Sequence, residues 1–121
     1  MTEKSIGTIT GYHAHVYFDA DSEDDAKALR EAIARRFDMT LGSWHHKPVG
    51  PHPCSMYLVA FTPVQFADFV PWLALNRRGL TIFLHPESGD VVADHLDHAL
   101  WMGEVLELDA GFLEDFAARN A

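Results

Sequence analysis

The stretch Tyr12-His13-Ala14-His15-Val16-Tyr17-Phe18 constrains the chain most. Successive side chains of a strand point to opposite faces. Ala14, Val16 and Phe18 then share one face, and His13, His15 and Tyr17 share the other. The first face is apolar and suits a core. The second sets two imidazoles two positions apart, close enough to hold one metal ion together. A strand that gives a whole face to His-x-His and a tyrosine is unusual if it serves packing alone.

The elements around this strand follow from periodicity. Asp19 to Asp25 ends the strand and opens a helix, with Ser22 as N-cap and Glu23, Asp24 and Asp25 at the positive end of the helix dipole. Ala26, Leu29, Ile33 and Phe37 recur at three- and four-residue steps, which is an amphipathic helix laid on a sheet. Ser43 to Lys47 is read as a short strand, and Pro48-Val49-Gly50-Pro51-His52-Pro53 as a stiff turn. Met56 to Phe61 is apolar on both faces and reads as a central strand.

Thr62-Pro63 caps a second helix carrying Phe66, Phe69, Val70 and Leu73, with Pro71 expected to kink it or restart its last turns. Asn76-Arg77-Arg78-Gly79 closes that helix. Leu80 to Leu84 is a further strand, followed by a turn at Pro86 to Asp90. His98 to Met102 is the last strand, and Asp109 caps a C-terminal helix with Phe112, Leu113 and Phe116 on its apolar stripe. The order implies an α+β domain over residues 1–121. It is a ferredoxin-like βαββαβ antiparallel sheet with helices on one face, plus a C-terminal strand and helix. The histidine face stays open in that plan unless the extension or a second subunit covers it.

Charge and cysteine content remove several function classes. The formal charge of −9 opposes binding to nucleic acid and to anionic membrane surfaces. No apolar run is long enough to span a bilayer and no apolar signal region opens the chain, so a cytoplasmic location is expected. A single cysteine, Cys54, excludes an internal disulfide and multi-thiolate zinc sites.

Histidine is the anomaly, with eight residues spread along the chain. In the βαββαβ plan the fourth strand lies antiparallel beside the first, so His85 should neighbour His13. His13, His15 and His85 then converge as candidate ligands, and His95 can reach the same place. Neutral imidazoles favour zinc, iron, copper or nickel over calcium or magnesium. His52, in a rigid loop, suits an acid/base or a substrate contact. Tyr17 and Tyr57 either hydrogen-bond a ligand or fill the sheet. Arg77 and Arg78 either meet a substrate carboxylate or complement the helix end. His45, His46 and His98 read as surface or structural residues.

Taken in order, these motifs resemble the fungal-type DOPA 4,5-dioxygenase family. The resemblance rests on Tyr12 to Phe18, on Pro48 to Pro53, on Pro71-Trp72-Leu73 through Asn76-Arg77 to Gly79-Leu80, and on His85-Pro86-Glu87-Ser88-Gly89-Asp90 with Asp94-His95. It runs from about Gly11 to about Leu106, with Ser88 standing where threonine is expected. It implies a ferredoxin-like protein, often a homodimer, that cleaves a catechol such as DOPA in extradiol fashion with non-haem Fe(II) and O₂. Zinc or another divalent metal can occupy such a site.

On that resemblance the metal ligands are His13, His15 and His85. His52 and His95 are catalytic, with His52 serving as acid/base or a further ligand. Tyr17, Tyr57 and Arg78 contact the substrate. A carboxylate ligand, if there is one, is Glu87, Asp90 or Asp94. The competing expectation is a ferredoxin-like dimer that binds a metal or small ligand without turnover.

Overall fold

The computed structural model describes residues 2–121. In chain order the elements are β1 (Gly11–Phe18), α1 (Glu23–Arg36), β2 (Thr40–Leu41), β3 (Ser55–Phe61), α2 (Phe66–Asn76), β4 (Ile82–Glu87), α3 (Val91–His95), β5 (Leu100–Met102) and α4 (Ala110–Arg119). The strands form one antiparallel sheet in the order β2-β3-β1-β4-β5. This is the strand order that the βαββαβ plan requires, with β5 added at the β4 edge.

The alternation of β1 acts as expected. Ala14, Val16 and Phe18 pack with Tyr57, Val59, Phe61, Ile82 and Leu84 against Ala26, Leu29 and Ile33 of α1 and Phe69 and Leu73 of α2. Burying each large apolar side chain there contributes about 1.5–3 kcal/mol. Thr62 accepts from the Gln65 backbone while the Gln65 side chain bonds the Thr62 backbone, a reciprocal cap leading into α2. Helix α2 runs unbroken through Pro71.

Four local readings change. The short strand falls at Thr40–Leu41, and Ser43 to Lys47 contributes only the His45–Met56 bridge. Strand β4 extends to Glu87, so His85 lies inside it, because Gly11 and Tyr12 continue the pairing opposite Glu87 and Pro86. Residues 91–95, to which the sequence pattern assigns no element, form a short helix, since the Asp90 carboxylate accepts from the Ala93 N–H and caps it. Ser22 holds the N-cap position of α1, but its hydroxyl turns to Asp19 instead of the helix backbone.

The second sheet face is not left open. Tyr17, Met56 and Phe83 pack against Leu108 and Leu113, with Val91, Val92, Trp101 and Leu106 around them. The C-terminal extension is the cover. Among the described residues no helix is long and apolar enough to cross a membrane.

Candidate metal centre

The site follows from the register of the two central strands. His13 on β1 pairs directly with His85 on β4, and His15 pairs with Phe83. Alternation sends all three imidazoles to the face away from α1 and α2. One ring nitrogen from each of His13, His15 and His85 lies within 4.8 Å of the others. The Nε2 atoms of His15 and His85 are 3.3 Å apart. Two nitrogens at that spacing can both reach one ion at the usual distance of about 2.0–2.1 Å.

Two further imidazoles close around the three. The His95 ring centroid is 3.9 Å from that of His85, and the His52 centroid is 4.1 Å from that of His15. His95 arrives because Asp90 caps α3 and turns the chain back over the sheet. His52 arrives because its proline-flanked loop folds over β1, where its Nδ1 lies 2.7 Å from the Tyr17 hydroxyl. Phe83 lies beneath the group, its ring near those of His15, His85 and His95.

Hydrogen bonds decide which nitrogens are free. The His85 Nδ1 lies 3.0 Å from the Pro86 carbonyl and the His95 Nδ1 2.8 Å from the Val91 carbonyl. A carbonyl only accepts, so both Nδ1 atoms carry the proton and both Nε2 atoms keep a lone pair. The His13 Nδ1 lies 3.1 Å from the Glu87 carboxylate, which orients that ring likewise. His15 differs: its buried Nδ1 has no partner, and contact with His52 and Phe83 holds the ring.

Burial keeps the group neutral. Desolvation pushes His85 down to about 3 and His52 to about 4, and lowers His13 and His95. It lowers His15 well below the ordinary range, helped by its four neighbouring imidazoles. Neutral imidazole is the metal-binding form. A set of neutral imidazoles whose ring nitrogens converge fits a borderline divalent cation, which takes up their lone pairs as ligands.

The other expected residues separate. Glu87 is the one candidate carboxylate that meets the histidines, at His13 and, more loosely, at His85. Asp90 caps α3. Asp94 is buried and already accepts from the Ser88 N–H, the Ser88 hydroxyl and His98. Burial raises the Asp94 pKa, but these hydrogen bonds outweigh burial and hold it below the usual carboxylate range.

Tyr57 is a correction. It packs in the helix-side core, its hydroxyl donating to the Ala26 carbonyl at 2.9 Å, because its strand position shares parity with Val59 and not with Met56. Arg78 is likewise engaged, paired to Asp25 at 2.9 Å. Tyr17 does lie on the histidine face, and burial raises its phenol pKa.

Two clefts flank this group, one at His95 and one at Tyr17, and neither is lined by His13, His15 or His85. One of about 340 Å³ is lined by His95, Asp97, Trp101, Leu106, Glu107 and Leu108. Another of about 340 Å³ is lined by Tyr17, Asp19, Cys54, Arg78, Thr81 and Glu104. The larger hollows, of about 540 and 590 Å³, are lined by none of Tyr17, His13, His15, His52, His85 and His95. Trp101 is a lining residue that sequence pattern does not single out; the β4–β5 pairing brings it beside Phe83.

The model of the Dopa 4,5-dioxygenase family matches residues 12–112, which include every histidine named above. The chain belongs to this family. It is 35% identical over its whole length to an uncharacterized 21.2 kDa protein of Botryotinia fuckeliana, of which it spans 73%. It is 30% identical to a DOPA 4,5-dioxygenase of Amanita muscaria over 84% of its own residues, spanning about half (48%) of that protein. A crystal structure of a candidate dioxygenase from Nostoc punctiforme shares 52% identity and superposes with a TM-score of 0.93, covering 94% of this chain and 99% of that one. Membership and likeness support an oxygenase, and the three-histidine group supports a metal cofactor.

Proposed function

We propose that the protein is an iron-dependent extradiol dioxygenase that opens the ring of a catechol. The observation that carries this reading is the neutral group of half-buried His13 with buried His15 and His85, and with His52 and His95 packed against it. Ferrous iron held by these three nitrogens supplies electron exchange with O₂ and, with only three protein ligands, room for the diol as well.

The chain's own residues account for the protons. The net reaction adds both atoms of O₂ to the catechol and breaks the ring bond beside the diol. The diol must lose protons on binding, so bases must stand near it. His95 has its Nδ1 proton tied to Val91 and presents a free Nε2 lone pair, which suits it to accept a proton. His52 is coupled to the Tyr17 hydroxyl, which holds the ring in place and offers a second proton position. Phe83, Leu108 and Trp101 keep the surroundings apolar and limit water.

The test is to load the protein with Fe(II) anaerobically, add 4-methylcatechol or L-DOPA, and follow oxygen uptake on admitting air. The reading requires one O₂ consumed per ring opened, a yellow product, and loss of both in His15→Ala. Tight metal retention with no oxygen uptake across a catechol panel would support the non-catalytic alternative and refute this one.

A further inference from the structure

We infer that the site discriminates by charge, favouring a catechol with a cationic amine on its side chain over one with a carboxylate. This inference rests on the proposed ring-cleaving reading and adds the substrate class to it. It depends on what lines the two clefts that flank the histidines. The cleft at His95 carries Asp97 and Glu107 at exposed positions and no lysine or arginine. Its Trp101 offers an aromatic face of the kind that attracts ammonium groups.

The cleft at Tyr17 carries Asp19 and Glu104, and its one cation, Arg78, is bound by Asp25. At either cleft a substrate carboxylate therefore meets more carboxylates than cations. Next to the ligands themselves lies a further carboxylate, Glu87. Over the whole chain the formal charge is −9, which adds long-range repulsion of anions to the local one.

The apolar part of the cleft explains why charge is read at the mouth. Leu108 is buried and Leu106 partly so, beside Trp101 and His95. A ring seated on His95 and Trp101 sends its side chain outward past Asp97 and Glu107. Neither carboxylate has a salt-bridge partner among the described residues, so each is available to a ligand cation.

The experiment compares three catechols that differ only in side-chain charge: 4-(2-aminoethyl)catechol, 4-ethylcatechol and 3,4-dihydroxyphenylacetate. Binding is read by tryptophan fluorescence on anaerobic zinc-loaded protein, and kcat/KM on iron-loaded protein. The expected order is cation, neutral, anion, with about a tenfold spread at low ionic strength that narrows at high salt. Glu107→Gln combined with Asp97→Asn narrows the cation-to-anion ratio several-fold. Glu31→Gln combined with Asp24→Asn, which removes the same two charges from α1 on the opposite sheet face, leaves that ratio within twofold.

Equal or tighter binding of the anion, or a ratio that the double variant does not move, overturns the inference. The neutral probe separates this from the parent reading. If 4-ethylcatechol binds but is never opened, ring cleavage fails while the charge order is still measured. If no catechol binds, both fail.

Discussion

Lowering the pH from 7 to 5 should destabilise the metal-free protein by an amount that the histidine cluster sets. In the folded chain burial holds His85 near 3 and His52 near 4. In the unfolded chain both return to about 6.5. Folded pKa values below the unfolded ones mean that the unfolded state binds more protons. Stability is therefore intact above about pH 6.5 and falls as pH drops toward 4. Across pH 7 to 5 each imidazole contributes about 2 kcal/mol of loss, so the pair costs about 4 kcal/mol. His15, lowered in the same direction, adds to the loss, whereas the raised pKa of Glu87 opposes it. Against a typical total of about 5–15 kcal/mol this is a large fraction.

The assay is urea unfolding of chelator-treated protein at pH 7, 6 and 5, followed by tryptophan fluorescence. The midpoint should fall steeply while the m-value holds. The double variant His52→Gln/His85→Gln should lose about 4 kcal/mol of that pH dependence. A midpoint flat from pH 7 to 5, or a slope that the double variant leaves unchanged, refutes the claim that these imidazoles are held neutral by burial.

Three other outcomes are expected. Zinc at a hundred times its dissociation constant should stabilise the protein by about 2.7 kcal/mol, and the gain should vanish in His15→Ala or His85→Ala but persist in His98→Ala, measured by the shift in unfolding midpoint. Glu87→Gln, which weakens the support of His13, should lower metal affinity about 10–100-fold in a competition titration while the fold persists. Tyr57→Phe should cost about 1 kcal/mol of stability, the hydrogen bond to Ala26, and leave metal affinity unchanged, since Tyr57 faces the other core.

Much of this architecture is written in local pattern. The alternation over Tyr12 to Phe18 separates a core face from a histidine face. The three- and four-residue spacing of Ala26, Leu29 and Ile33 predicts α1, and the Thr62 and Asp109 caps mark helix starts. The reading fails where tertiary pairing decides. Thr40 and Leu41 form a strand because β3 lies beside them, whereas propensity points to Ser43 to Lys47. His85 lies within β4 and not at its end because β1 is long enough to pair with Pro86 and Glu87.

Residues alone specify the chemistry on offer: imidazoles in alternation on one strand, a proline-braced His52, an acidic chain without thiolate clusters. Such features are visible because alternation, helical spacing and turn stiffness act over a few neighbouring residues. Which imidazoles meet, which carboxylate supports them, and which tyrosine faces them belong to the folded state. A strand's parity relative to a distant partner is a long-range quantity, and it alone puts Met56 beside the site and Tyr57 behind it.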